Sequence, residues 1–153
     1  MQLTDILSLG RISCDSQASS KKRVLEQFSD LIANDQTSLN RLDIFDSLLS
    51  RERLGSTGLG HGIAIPHGRI SNSERAIGAL IKLREGIDYE AIDHQPVDLL
   101  FALLVPEKST DEHLQLLAML AEMFSNTEVV AKLRNAHTSA ALYDAILDWQ
   151  DRR

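Results

Sequence analysis

Apolar residues recur along this chain with two different periods. Behind the polar start Ser19-Ser20-Lys21-Lys22, the residues Val24, Leu25, Phe28, Leu31 and Ile32 lie at helical spacing and predict an amphipathic helix from about Ser20 to Asn34. Leu42, Phe45, Leu48 and Leu49 share a face of a second helix, with Ser38 or Asn40 as candidate caps and Gly55 as its stop. The pattern then changes to short apolar runs. Gly62 to Ile65 reads as a short strand ended by Pro66, and Ala76 to Leu83 as a longer strand followed by a turn at Arg84, Glu85 and Gly86. VDLLFALLVP, Val97 to Pro106, is apolar almost without interruption, which predicts a strand covered on both faces. In EKSTDEHLQLLAMLAEMF the helical period returns: Ser109 and Glu112 have capping-box separation, and Leu114, Leu117, Ala118, Ala121 and Phe124 mark the buried face. Ser125 and Glu128 repeat the capping pattern ahead of VVAKLRNA, and Thr138 opens a last helix through Leu142, Ala145, Ile146 and Trp149.

Interleaved helices and strands of mixed character predict an α/β fold of the α+β type, with a mixed parallel and antiparallel sheet flanked by helices on both faces. A chain of 153 residues with 43% hydrophobic content supports one core, so a single domain over residues 1–153 is expected. A formal net charge of -6 leaves no basic surface to offset a phosphate backbone, and nucleic acid drops out as a partner. The single cysteine, Cys14, has no second thiol for a disulfide or a zinc set and reads as a half-buried small apolar residue. The start MQLTDILSLGRISCDS lacks the basic residues and apolar block of an export signal. The longest apolar run, Leu99 to Val105, is far shorter than the roughly 20 residues of a bilayer span, so the expectation is a cytoplasmic protein that is not embedded in a membrane.

Candidate chemistry concentrates in LGSTGLGHGIAIPHGR, residues 54–69, where five glycines surround His61 and His67. A metal is the first reading, because imidazole is a common ligand. Six positions of extended chain, however, separate the two rings by about 20 Å, and no further ligand lies nearby in sequence, so no metal is expected. A phosphoryl acceptor is the second reading. It needs a neutral imidazole with one ring nitrogen open and the other held by a hydrogen bond, plus donors for the equatorial oxygens. His67 follows a strand and Pro66, and its neighbours Gly68 and Arg69 offer backbone amides and a cation. A loop histidine without a task is the third, and the residues alone leave it open. His113 falls in the first turn of a predicted helix, where exposed amides and the dipole favour an anion. Arg51, at the end of the second helix, either complements the helix C-terminus, as Arg53 does, or reaches back across the glycine loop towards His67. His61, His94 and His137 read as surface residues.

Three motifs in order, RERLGSTGLGHGIAIPHGR, AIDHQPVDLLFALLVP and EHLQLLAMLAEMF, closely resemble the nitrogen-regulatory enzyme IIA proteins. These form the PtsN family of the phosphoenolpyruvate-dependent phosphotransferase system, related to the mannitol- and fructose-type EIIA domains. The resemblance runs from about Leu3 to Leu147 and implies a type-2 EIIA domain with a mixed sheet between helices. It implies that His67, in G-I-A-I-P-H-G, accepts a phosphoryl group on Nε2 from a small nitrogen-type histidine phosphocarrier protein. Arg51 and His113 match the family's active-site arginine and second histidine. Arg69, Gly68 and Thr57 are expected to contact phosphate or the partner, no cofactor is implied, and weak homo-oligomerisation is kept among the expectations. Ser56-Thr57-Gly58 looks like the nitrogen-type branch, whose output is regulatory contact with transporters or sensor kinases in nitrogen and potassium homeostasis. The alternative is a sugar-specific component that passes phosphate to a permease-linked IIB domain. Position 61 varies among relatives, so His61 inherits no role.

Overall fold

The computed structural model describes residues 1–109 and 111–153. The helical periods give α1 (Lys21–Asp35) and α2 (Arg41–Arg53), and α3 (Asp111–Phe124), α4 (Thr127–Asn135) and α5 (Ser139–Asp151) follow the last strand. The strands are β1 (Ile12–Ser16), β2 (Gly58–Gly60), β3 (Ile63–Ala64), β4 (His67–Ile70), β5 (Ile77–Ile87) and β6 (Val97–Pro106). Two 3-10 turns, Leu3–Asp5 and Leu9–Arg11, precede β1.

The six strands form one sheet in the order β1-β5-β6-β3-β2, with β4 also on β6. β5 runs antiparallel to β6, whereas β1 is parallel to β5 and both β3 and β4 are parallel to β6. The mixed sheet is thus as the pattern predicts. β6 is apolar from Leu99 to Val105 because its alternate side chains enter two cores. Leu99, Phe101, Leu103 and Val105 join Leu116, Leu120, Leu133, Leu142 and Ile146 from α3, α4 and α5. Leu100, Ala102 and Leu104 join Val24, Phe28, Ile32, Ile44 and Leu48 from α1 and α2.

Several expectations are corrected. Arg84, Glu85 and Gly86 do not form a turn: β5 continues to Ile87, which pairs with Val97, and an irregularity after Lys82 takes up the exposed polar residues. Pro66 ends β3 but not the pairing, because its carbonyl still accepts from the Leu103 amide at 2.9 Å and the chain resumes along the same edge as β4. On α2 the buried residues are Ile44, Leu48 and Glu52, while Leu42 is 61% exposed; Asn40 is the cap, accepting from the Leu42 and Asp43 amides. α3 buries Leu116, Leu120, Met123 and Phe124, and leaves Leu114 exposed, together with Ala118 and Ala121. Its apolar residues occupy every side, so spacing alone admits more than one face. Ser109 lies two residues before α3 begins, and residue 110 is outside the described residues. Asn126, not Ser125, caps α4, because its amide oxygen accepts from the Glu128 and Val129 amides; Ser125 instead donates to the Glu122 carbonyl. The first and last helices begin where expected, with Ser20 capping α1 and Thr138 capping α5.

Candidate phosphoryl-acceptor site

His67 sits where the edge of β6 changes partner, at the first residue of β4 and opposite Leu103. Its Nδ1 lies 2.8 Å from the Ile65 carbonyl oxygen. A carbonyl can only accept, so Nδ1 carries the proton and Nε2 keeps its lone pair. The ring is half-buried, and burial lowers its pKa below the usual histidine value; the Arg51 charge acts in the same direction, while the Ile65 bond and the Glu52 charge oppose. The neutral imidazole, with Nε2 unprotonated, is therefore the form present at neutral pH.

His113 arrives from the other side of the sheet on the first turn of α3. The two rings meet edge to face, with centroids 5.4 Å apart. Burial lowers the His113 pKa first, followed by the charges of His67 and Arg69, so this ring too is held neutral. Its Nδ1 is buried and meets no hydrogen-bond partner among the described residues. An anion arriving between the rings would reverse that balance, since it adds a negative charge at the positive end of a helix.

Arg51 is half-buried at the last turn of α2, and its Nη1 donates to the Gly55 carbonyl at 2.8 Å. That bond folds the side chain back over the loop, while its charge is felt by His67. Arg69 donates through Nη1 to the carbonyls of Glu107 and Ser109, tying β4 to the segment that leads into α3. Gly68 is a packing position. A Cβ there would collide with Ser47 Oγ and stand 3.1 Å from the Ser47 carbonyl oxygen, so only glycine lets α2 rest on β4. Ser47 Oγ closes the contact by donating to the Arg69 carbonyl at 2.7 Å.

Thr57 is 7% exposed, and its hydroxyl donates to Glu52, so it faces the interior. Glu52 was not singled out by sequence reading, nor were Tyr89 and Lys21. Tyr89 donates to Glu52 Oε1 at 2.8 Å, and Lys21 Nζ reaches Oε2 at 2.9 Å. Burial, then the Glu52 charge, pushes the Tyr89 phenol far above its ordinary range, so it remains a donor. The available signal was spacing: Glu52 follows Ile44 and Leu48 at i+4 steps on the buried face of α2.

His61 lies apart from this group. It is exposed with φ 57, its amide donates to Asp93 and its carbonyl accepts from Arg134. His94 and His137 are exposed, as expected. Cys14 is half-buried, and its thiol donates to the Ala136 carbonyl at 3.6 Å.

Comparison with known proteins accords with this geometry. The profile of the family described as "Phosphoenolpyruvate-dependent sugar phosphotransferase system, EIIA 2" matches residues 5–149. The chain is 46% identical over 151 residues to a nitrogen regulatory protein of Pseudomonas aeruginosa, covering 99% of this chain and 98% of the relative. With a nitrogen regulatory protein of Escherichia coli K12 it shares 42% identity over 153 residues, with 97% and 91% covered. The crystal structure of nitrogen regulatory protein IIA-Ntr from Neisseria meningitidis aligns with a TM-score of 0.87 at 42% identity, over 93% of this chain and 97% of that one.

Proposed function

The chain belongs to the EIIA type-2 family of the phosphoenolpyruvate-dependent phosphotransferase system, and from that membership and the geometry around His67 we propose that His67 accepts a phosphoryl group on Nε2 from the phosphohistidine of a small, nitrogen-type histidine phosphocarrier protein. The observation that carries the reading is the 2.8 Å bond between Nδ1 and the Ile65 carbonyl, which leaves Nε2 as the nucleophile. The His67 Nε2 to phosphorus bond forms as the donor's nitrogen to phosphorus bond breaks, and the donor imidazole leaves with the electron pair. Arg51 offsets charge on the equatorial oxygens, and His113 with the first turn of α3 holds the phosphorylated product. Gly68, Thr57 and Arg69 serve phosphate and partner indirectly, by setting the positions of α2, the glycine loop and α3.

The output is regulatory. Phosphorylation adds a dianion at His67 and changes which proteins bind there, such as transporters or sensor kinases in nitrogen and potassium homeostasis. Similarity to proteins named nitrogen regulatory protein supports this reading. The protein acts in the cytoplasm, where carrier and targets meet; among the described residues no helix is long and apolar enough to cross a membrane. Because the family's description names a sugar phosphotransferase system, a second reading is a component that hands phosphate to a permease-linked IIB domain. Incubation with phosphoenolpyruvate, the first enzyme of the system and the carrier is expected to give an acid-labile phosphate. An unlabelled wild type, or a labelled His67→Ala variant, sinks the assignment. A chase of label into sugar through a IIB domain would replace the regulatory reading with the second one.

A further inference from the structure

The acid between Arg51 and Arg53 has no place in the transfer just described, yet its surroundings are those of a built site. The Glu52 side chain is 2% exposed. Oε1 accepts from the Thr57 hydroxyl and the Tyr89 phenol, and Oε2 from the Thr57 amide at 3.3 Å and Lys21 Nζ at 2.9 Å. Four donors from α1, the glycine loop and the segment after β5 thus converge on one carboxylate. A buried, fully satisfied charge of this kind holds its partners in one arrangement, because leaving any of them unpaired is costly.

Two chains of contacts lead from this carboxylate to the transfer site. Glu52 bonds Thr57 five residues on and so fixes the bend between them; the bend presents the Gly55 carbonyl that holds Arg51. The Thr57 carbonyl then accepts from the Ile65 amide at 3.1 Å, and the Ile65 carbonyl accepts from His67 Nδ1 at 2.8 Å. We propose that Glu52 is a positioning residue for phosphoryl transfer, its buried carboxylate setting the glycine loop so that the same bend aims Arg51 and, through Thr57 and Ile65, fixes the orientation and tautomer of His67. The proposal rests on His67 as the acceptor. Lys21 completes the device, its cation also standing 4.6 Å from the Tyr89 ring centroid.

The charged and titratable groups around His67 are Arg51 and Glu52 on α2, His113 on α3 and Arg69 on β4. Of these, Glu52 favours the protonated imidazole and Arg51 disfavours it. A Glu52→Gln variant therefore lowers the His67 pKa as well as loosening the loop. The test follows the His67 imidazole by nuclear magnetic resonance in protein carrying labelled histidine, alongside uptake of label from the phosphorylated carrier. Expected are a His67 pKa below the wild-type value, a weakened preference for the Nδ1-protonated tautomer, and a fall of tenfold or more in kcat. KM for the carrier stays unchanged, because Glu52 is too deep to touch it. A folded Glu52→Gln protein whose His67 titrates as in wild type, or whose uptake rate is unchanged, overturns the proposal. Should that variant not fold, Lys21→Met with Glu52→Gln removes both charges and is put to the same measurements. A wild type that takes no phosphoryl group refutes the acceptor reading instead, and the titration still decides whether Glu52 positions the ring.

Discussion

His61 and His67 stand six residues apart in one glycine-rich segment, and the fold treats them in opposite ways. His61 occupies a left-handed turn with its ring exposed, and only its backbone is engaged, by Asp93 and Arg134. His67 has a strand conformation, a half-buried ring, a bonded Nδ1 and a second imidazole 5.4 Å away. The difference lies in the ring environment and not in the surrounding composition. Reactivity requires one nitrogen to be held and the other left open in a setting that keeps the ring neutral, and His67 meets those conditions where β6 switches its pairing from β3 to β4.

Substitutions at the two positions test the contrast most strongly. His67→Ala is expected to abolish acid-labile labelling while thermal unfolding stays within a few degrees of wild type, and His61→Ala is expected to label normally. Labelling lost at 61 and kept at 67 would reverse the comparison. Next in size is Arg51→Ala, which removes the cation proposed to stabilise charge in the transfer; single-turnover uptake should slow by roughly 10²-fold or more. A smaller effect follows from the packing beneath His67. Gly68→Ala drives a methyl group into Ser47 on α2, so a loss of about 1–3 kcal/mol in chemical denaturation is expected. Wild-type stability there would mean that α2 does not rest on β4.

Titration gives a further measure of the His67 environment. The pKa of His67 is lowered in the folded state, so the unfolded chain binds the extra proton first as pH falls. Stability from this group is complete above the unfolded histidine value near 6.5 and is lost as pH drops from there through the lower folded value. Phosphoryl acceptance, which needs neutral Nε2, should hold across pH 7 and decline with a midpoint below 6.5. A rate profile with its midpoint above 6.5 would contradict a half-buried ring that feels the Arg51 charge. Once His67 is phosphorylated, the nearby dianion favours protonated His113, whose pKa should rise; nuclear magnetic resonance of the phosphorylated protein reads that shift directly.

Much of this arrangement was legible in the residues. VDLLFALLVP announced a strand between two helical layers because its side chains from Leu99 to Val105 enter one core or the other. The ends of α1 and α5 were legible because Ser20 and Thr138 supply oxygen atoms where free amides occur. His67, Arg51 and His113 came from motif likeness, and no periodicity in the chain reveals that residues 67 and 113 meet. The buried face of α3 was not legible, since Leu114 and Leu116 are equally apolar and only the sheet decides which turns inward. Glu52 was hidden for the opposite reason: a charged residue between two arginines reads as surface, and its burial depends on Tyr89 and Lys21 from distant parts of the chain.

The smallest expected effect is at His61. Its φ of 57 is a conformation that most side chains resist but asparagine accepts at least as well as histidine. The amide and carbonyl at this position bond Asp93 and Arg134 through the backbone, and a His61→Asn change leaves both in place. Stability should therefore move by no more than about 0.5 kcal/mol, and label uptake by no more than about twofold. His61→Val is the sharper companion, since a β-branched side chain is a poor fit to the left-handed turn and should cost about 1–2 kcal/mol while leaving the chemistry at His67 intact. A slowed transfer in the asparagine variant would show that the His61 ring itself contributes, and would make the two imidazoles partners after all.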